Sequence, residues 1–228
     1  MISKIIQHIF NYLFPPTCII CKEENTVINI CKDCSQRLEL SRETRRPWIF
    51  SLYRYKTEPV SLCVRHIKNF PDQALLHKII QQNEFMIFGW AMGLLKNFNC
   101  NKIVIIPVPI HRSRFIDRGY NQAELIAEAF QKVIVENKRN ISIPVYIETD
   151  LIVKSKKTDK QALVSEKSIR LKNIRGAFSI QKDRDAAHLG QSLVIIIDDV
   201  TTTGGTLDEI RTILLPYAKA VFAFTLAH

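Results

Sequence analysis

SLVIIIDDVTTTGGT (Ser192–Thr206) sets an aliphatic run directly before two adjacent carboxylates and a loop of Thr and Gly. An aliphatic run bounded by turn residues is typical of a strand buried on both faces of a parallel sheet. In such sheets, ligands bind beyond the carboxyl ends of the strands. We therefore expect Asp198 and Asp199 to emerge from the end of a central strand, where the sheet meets solvent.

The loop after the carboxylates has the composition of an anion site. It comprises Thr201, Thr202, Thr203, Gly204, Gly205 and Thr206. A helix is expected to begin near Thr206, with Glu209 at capping-box spacing, and the loop N–H groups would join the helix N-terminus in binding phosphate. Carboxylates beside a phosphate are repulsive unless they accept hydrogen bonds from sugar hydroxyls, so the implied ligand is a ribose 5-phosphate. The absence of GxxxxGK[ST] disfavours a P-loop, and a purely structural turn is the alternative.

Four of the six cysteines form two CxxC pairs separated by residues 22–30. They are Cys18, Cys21, Cys31 and Cys34. Two such pairs can bring four thiolates together around one zinc ion, and a closed four-cysteine site leaves no open position for water. We therefore predict a structural zinc module, with a pair of disulfides as the competing account.

Composition bounds the class of protein. With 46% hydrophobic and 24% charged residues, the chain is typical of a folded globular protein, and its formal charge of +10 favours anionic partners. The opening segment MISKIIQHIFNYLF has helical apolar spacing but no cleavage site of a signal peptide. We expect this helix to dock on its own protein, with an interfacial membrane helix as the alternative, and we expect a cytoplasmic location.

Strand and helix patterns alternate through the remainder of the chain. Strand-like runs occupy Trp48–Tyr55, Ile103–Pro109, Ile141–Val153, Leu193–Ile197 and Ala220–Leu226, and helical patterns lie between Asp72 and Asn97, from Asn121 and over Leu207–Leu215. This alternation predicts an α/β fold with a mostly parallel sheet and flanking helices. We divide the chain into residues 1–46, with the N-terminal helix and the zinc-ribbon-like module, and residues 47–228.

The residues around the Asp-Asp pair resemble a known group of proteins. The stretch 192–206 is similar to the signature loop of type I phosphoribosyltransferases, and IIPVPIHRSRFIDRGYNQAELIAEAF (Ile105–Phe130) resembles the ComF/GntX family. Further similar stretches are FPPTCIIC (Phe14–Cys21), HIKNF (His66–Phe70) and TDKQALVSEKSIRLKNIRGAF (Thr158–Phe178). The resemblance covers nearly the whole chain and implies the type I phosphoribosyltransferase fold.

The resemblance also implies a ligand, 5-phosphoribosyl pyrophosphate bound with Mg²⁺, and roles for the residues around it. Asp198 and Asp199 would hold the ribose, and Thr201–Thr206 would bind the 5-phosphate. The pyrophosphate would face Pro107, Val108, Pro109 and Arg112, and a lid would carry Lys154, Lys156 and Lys157. In the related enzymes a nucleophile displaces pyrophosphate from the anomeric carbon.

Two functional hypotheses follow. In the first, the protein acts in natural transformation, as the resemblance implies. It would handle single-stranded DNA, together with the competence machinery, at the inner face of the inner membrane. In the second, it is a metabolic phosphoribosyltransferase with an unknown acceptor. The stretch RRPWIFSLYRYK (Arg45–Lys56) mixes basic and aromatic residues, which suits single-stranded DNA, but a strand there would direct Trp48 and Phe50 into the core.

Overall fold

A computed structural model describes residues 17–24, 26, 28–41, 46–137, 143–155 and 176–228. The strands are β1 (Ile49–Tyr53), β2 (Lys102–Pro107), β3 (Val145–Ile147), β4 (Ile152–Lys154), β5 (Phe178–Ile180), β6 (Ser192–Val200) and β7 (Ala220–Ala227). The helices are α1 (Lys32–Gln36), α2 (Glu58–Asn69), α3 (Gln73–Gln81), α4 (Glu84–Asn97), α5 (Arg112–Arg118), α6 (Gln122–Asn137) and α7 (Gly205–Leu214).

Five strands form one sheet in the order β1-β7-β6-β2-β3, and every neighbouring pair is parallel. The strand that carries the Asp-Asp pair is therefore the central one, as predicted. Strands β4 and β5 form a separate antiparallel pair. The predicted α/β fold with a mostly parallel sheet is confirmed.

The aliphatic runs are explained by burial of the sheet on both faces. Alternate side chains of β2 and β6 enter two different core clusters, as the two-residue period of a strand requires. Ile105 and Ile195 pack on the side of α2, α3, α4 and α6, together with the cysteine module. Val104 and Ile196 pack on the other side, with α7 and the β4–β5 pair.

Two local predictions around the central strand were wrong. Strand β6 continues to Val200, because Asp198 and Val200 pair with Thr225 and Ala227 of β7, so the carboxylates lie within the strand rather than beyond it. The capping box at Glu209 does not form, since α7 begins at Gly205 without a side-chain cap. Glu209 Oε1 instead accepts hydrogen bonds from the N–H groups of Ala177 (2.8 Å) and Phe178 (3.4 Å), so its side chain serves the β5 region and not the helix start.

Several predictions fall on residues outside the described ranges. These are the N-terminal helical segment, most of the connector Ser41–Trp48, and Lys156 and Lys157 of the lid. Within the ranges that are described, no helix has the length and apolar character needed to cross a membrane.

The aromatic packing beneath the sheet gives a direct test of the core. Phe130 is fully buried, with its ring 4.9 Å from Phe224 and 6.4 Å from Trp90. We expect Phe130→Ala to lower the free energy of unfolding by about 3 to 5 kcal/mol, because it removes apolar contacts and leaves a cavity. Phe85→Ala is the matched control, since Phe85 is 79% exposed, and it should change stability by less than about 0.5 kcal/mol. Urea unfolding of both variants measures the difference, and similar losses would contradict the assigned core.

Candidate functional site

A cleft of about 460 Å³ opens at the carboxyl ends of β2 and β6. Its floor contains the two aspartates, and its walls come from α2, the β2–α5 loop, α5, α6, β4 and α7. The lining residues are Arg65, Lys68, Asn69, Val108, Pro109, Ile110, Arg114, Arg118, Gln122, Lys154, Asp198, Asp199 and Thr206. Parallel strands expose their carboxyl ends at one edge, which is why residues distant in sequence meet here.

The aspartate pair is held by its own backbone and by one lysine. Asp198 Oδ1 accepts a hydrogen bond from the N–H of Asp199 (2.9 Å), and Asp199 Oδ1 accepts one from the N–H of Val200 (2.7 Å). Asp199 is only 6% exposed, and its Oδ2 lies 3.1 Å from Lys68 Nζ. That oxygen accepts no hydrogen bond from any described residue, because the lysine approaches as a charge partner without hydrogen-bond geometry.

Burial makes ionisation of the Asp198 carboxyl unfavourable. Removal from water and the adjacent Asp199 carboxylate raise the pKa of Asp198 well above its usual value, and the N–H of Asp199 and the charge of Lys68 only partly oppose this. A cation or a hydrogen-bond donor entering the cleft would favour the ionised form. The pair is therefore suited to a ligand that brings hydroxyl groups or a metal ion.

The threonine-rich loop presents unused donors at the helix start. Among the described residues, the backbone N–H groups from Thr202 to Thr206 have no acceptor, whereas the N–H of Thr201 is bonded to the carbonyl of Ala227 (3.0 Å). The donors combine with the positive end of the α7 dipole. This arrangement suits a phosphate group.

The loop after β2 is fixed at its first residue, Val108, by two hydrogen bonds. The N–H of Val108 donates to the carbonyl of Ile197 (2.8 Å), and Asn121 Nδ2 donates to the carbonyl of Val108 (3.1 Å). Val108 and Pro109 line the cleft, and Pro107 is the last residue of β2. Arg112 is exposed and lies outside the lining, while Arg114 and Arg118 of the same helix line it.

One lid lysine falls within the described residues. Lys154 lines the cleft, with its ammonium 5.1 Å from the centre of the Phe178 ring. Burial lowers the pKa of Lys154, and the positive charge of Arg114 adds to this effect. An anion in the cleft would oppose both causes.

Sequence reasoning missed the contribution of α2, to which it assigned no element. Arg65, Lys68 and Asn69 have helical i, i+3, i+4 spacing and all reach the cleft. Tyr120, which follows α5, fixes this end of the helix by donating its hydroxyl to the carbonyl of Ile67 (2.8 Å). The stretch HIKNF contains Lys68 and Asn69, and helical spacing was the signal available in the sequence.

The four cysteines converge as the spacing predicted. Their Sγ atoms all lie within 4.8 Å of one another, and Cys21 Sγ is 3.7 Å from Cys31 Sγ, much longer than a disulfide bond. Burial raises the pKa of the Cys18 thiol, but hydrogen bonds from the backbone N–H groups of Cys31, Cys21 and Ile20 outweigh it and bring the pKa to about 6. Four thiols at these separations, one of them readily ionised, fit a structural zinc ion.

The cysteine module is connected to the cleft through Asp72. Asn29, between the two CxxC pairs, donates to Asp72 Oδ2 (2.6 Å), which also lies 3.0 Å from His66 Nε2 on α2. The other oxygen, Oδ1, caps α3 at the N–H of Leu75 (2.9 Å). One carboxylate thus joins the cysteine module, α2 and α3.

The basic and aromatic stretch before and within β1 is largely occupied by internal contacts. Phe50 stacks on Trp90 and Phe224, as predicted for a strand, and Trp48 lies under the guanidinium of Arg211. Arg54 pairs with Glu39. This stretch is therefore a poor surface for stacking bases.

A parallel α/β sheet with paired aspartates in a cation-lined cleft, joined to four converging cysteines, defines an α/β protein whose cleft is suited to anions and whose cysteine module could hold a metal ion. No family model matches the chain. It is 34% identical over 160 residues to Competence protein F of Haemophilus influenzae, covering 69% of this chain and 62% of that protein. It is 26% identical to Competence protein ComFC of Bacillus subtilis over 99% of this chain and 80% of that protein. DNA utilization protein YhgH of Escherichia coli K12 is 26% identical over 49% of this chain and 42% of its own length. The chain belongs to the ComF family.

The raised pKa of Asp198 predicts a distinctive pH dependence of stability. In the folded ligand-free protein, this carboxyl keeps its proton at pH values where the unfolded chain has lost it, so stability falls as pH rises through that window. Asp198→Asn removes this loss. At pH 7 we expect the variant to unfold at a higher denaturant concentration than the parent. At about pH 4, close to the pKa of an aspartate in the unfolded chain, the two midpoints should nearly coincide.

Asp150→Asn serves as the control for that measurement, since Asp150 is exposed and pairs with Arg184 at the surface. Its effect should stay within about 0.5 kcal/mol at both pH values. A stability gain for Asp198→Asn that is equal at the two pH values would contradict the pKa assignment.

The cysteine cluster predicts one zinc ion per chain. We expect Cys18→Ser to abolish stoichiometric zinc and to lower the unfolding temperature, because the metal would tie the two CxxC pairs together. Cys100→Ser, outside the cluster, should retain the metal. Elemental analysis of the purified variants with a thermal melt measures both effects, and zinc retention by the Cys18 variant would overturn the assignment.

Proposed function

We propose that this protein binds 5-phosphoribosyl pyrophosphate with Mg²⁺ in the cleft and acts in natural transformation. A single observation carries the ligand assignment: two adjacent carboxylates, one of them buried, and a cluster of cations line one cleft, and Thr206 on its wall belongs to a loop of unused N–H donors. Each feature matches a different part of this ligand.

The carboxylates suit the ribose. Asp198 and Asp199 are acceptors at the base of the cleft, and ribose hydroxyls are donors that would satisfy the free oxygen of Asp199. Mg²⁺ would supply positive charge between hydroxyls and pyrophosphate oxygens. In a transfer reaction, the carboxylates would also stabilise positive charge that develops on the sugar.

The two ends of the ligand carry negative charge and need different partners. The 5-phosphate suits the loop Thr201–Thr206, whose unused backbone donors run from Thr202 to Thr206, with the hydroxyls of Thr202, Thr203 and Thr206 beside them. The pyrophosphate suits the loop Pro107–Arg112 and the nearby cations, among which Arg114, Arg118 and Lys154 line the cleft. Lys156 and Lys157 keep their proposed role in the lid. Arg112 keeps its proposed place beside the pyrophosphate.

Lys68 gives the site a way to exchange partners. Without ligand, it offsets the charge of Asp199 at 3.1 Å. A ligand that brings Mg²⁺ and hydroxyl donors to the aspartates frees the ammonium for a phosphate oxygen. The cost of burying the carboxylates is thereby offset in both states.

The biological role rests on the named relatives. Two of them are competence proteins and one is a DNA utilization protein, which supports a role in DNA uptake for this chain. The formal charge of +10 supports affinity for single-stranded DNA, and the proposed role includes handling such DNA with the competence machinery at the inner membrane. Because the chain spans only 62% of Competence protein F, the role of the whole protein is part of the proposal.

The first experiment is calorimetric titration of the zinc-loaded protein with 5-phosphoribosyl pyrophosphate and Mg²⁺. We expect micromolar binding, and we expect Asp199→Asn to weaken it by about 10- to 100-fold, because charged hydrogen bonds to the ribose are lost. Asp183→Asn is the matched control, since Asp183 is exposed and remote from the cleft lining, and it should bind as the parent does. Binding that survives Asp199→Asn would overturn the carboxylate assignment.

A parallel titration with single-stranded DNA separates the two parts of the proposal. Salt-sensitive DNA binding without sugar-phosphate binding would overturn the ligand assignment and retain the DNA role. Release of pyrophosphate on addition of an acceptor would instead favour the metabolic transferase.

A further inference from the structure

Arg46 makes an unexpected set of contacts at the threonine-rich loop. It precedes β1, yet its Nη2 donates to the carbonyl of Thr203 (3.0 Å), and its Nη1 donates to Asp208 Oδ1 in the first turn of α7. The rest of the guanidinium lies against Gly204. Arg46 is not among the residues that line the cleft, whereas Thr206 of the same loop is, so the contacts of Arg46 with Thr203 and Asp208 lie outside the lining.

The carbonyl contact controls which way a loop donor points. The carbonyl of Thr203 and the N–H of Gly204 belong to one planar trans peptide and therefore point in opposite directions. Holding the carbonyl towards Arg46 directs the N–H away from Arg46. That N–H is one of the loop donors for which no described residue supplies an acceptor.

Gly204 is required by the same contact. Its φ of +77° is strained for any residue with a side chain, and an added Cβ would lie 2.7 Å from Arg46 Nε. The left-handed conformation of Gly204 and the position of Arg46 thus belong to one packed arrangement.

The pairing with Asp208 removes an electrostatic conflict. A carboxylate in the first turn of a helix stabilises the helix, but it also competes with an anion bound at the same N-terminus. Arg46 offsets the charge of Asp208 and leaves the N–H donors to the ligand. The half-buried ion pair is therefore well placed to act on the phosphate end of the cleft.

We infer that Arg46 is a positioning residue for the 5-phosphate: it orients the Thr203–Gly204 peptide and neutralises Asp208 without touching the ligand. This inference rests on the proposed function, because it assigns a part of the same site. Its effect should be confined to the phosphate end, away from the cations proposed for pyrophosphate.

The test compares two probes, ribose 5-phosphate and Mg²⁺-pyrophosphate, by calorimetry on the zinc-loaded full chain. We expect Arg46→Gln to weaken ribose 5-phosphate binding by about 10-fold or more, as loss of a charged hydrogen bond predicts, and to leave pyrophosphate binding within about 2-fold. Arg46→Lys should recover part of the loss, because it restores the charge but not the two-pronged guanidinium. Arg184→Gln, at the surface pair with Asp150, is the control for loss of an arginine.

Asp208→Asn provides an independent test, because its expected effect on ribose 5-phosphate binding is opposite in sign to that of Arg46→Gln. It removes the competing carboxylate and leaves the bond from Arg46 to the Thr203 carbonyl, so ribose 5-phosphate should bind as tightly as in the parent or more tightly. The double variant with Arg46→Gln should bind better than Arg46→Gln alone. If Arg46→Gln does not fold, the Asp208 variant still tests the electrostatic part.

Three results would overturn the inference. They are equal loss for both probes in Arg46→Gln, no loss for either, or weakening by Asp208→Asn as large as that by Arg46→Gln. If the parent protein binds neither probe, the proposed function itself fails, which is distinct from a parent that binds both probes and variants that do not discriminate.

Discussion

The ion pair between Lys68 and Asp199 is the contact on which the arrangement of the cleft depends. A central strand that carries two carboxylates into a poorly hydrated environment needs a cation nearby, and α2 delivers one at 3.1 Å. The end of α2 is in turn held by the Tyr120 hydroxyl and by the bridge from His66 to Asp72. The cysteine module contacts that bridge through Asn29 and packs in the same core cluster as α2. It therefore supports the wall of the site as well as its own fold.

The site is built at the expense of local stability. The pKa of the Asp198 carboxyl is raised, one oxygen of Asp199 has no hydrogen bond, and a row of N–H groups has no acceptor within the described part of the chain. Each of these costs free energy in the empty protein. Their concentration in one cleft, beside a well-packed sheet, is typical of a binding site in which the ligand supplies the missing partners.

The sequence was informative where one physical effect dominates. Aliphatic runs predicted the parallel sheet, and the CxxC pairs predicted the convergence of four thiols. Local patterns failed where tertiary partners compete. Pairing with β7 extended β6 through the aspartates. The side chain of Glu209 accepts hydrogen bonds from the N–H groups of Ala177 and Phe178 and therefore does not cap the helix start. Arg46 meets Thr203 and Asp208 across 157 and 162 residues, a separation over which no local spacing carries information. The division at residue 46 and the roles of the site residues stay predictions.

The strand order has a consequence for how the protein is made. Strand β7, the last in the sequence, is inserted between β6 and β1, and it pairs with β1 across more than two-thirds of the chain. On the ribosome, β1 emerges early but has no neighbouring strand of the parallel sheet until residues 220–227 leave the exit tunnel, so the sheet closes late and its exposed edges must be protected meanwhile. A nascent chain cut short before β7 would lack an interior strand rather than an edge strand, so β1 would lose its neighbour in the sheet and β6 would keep only β2.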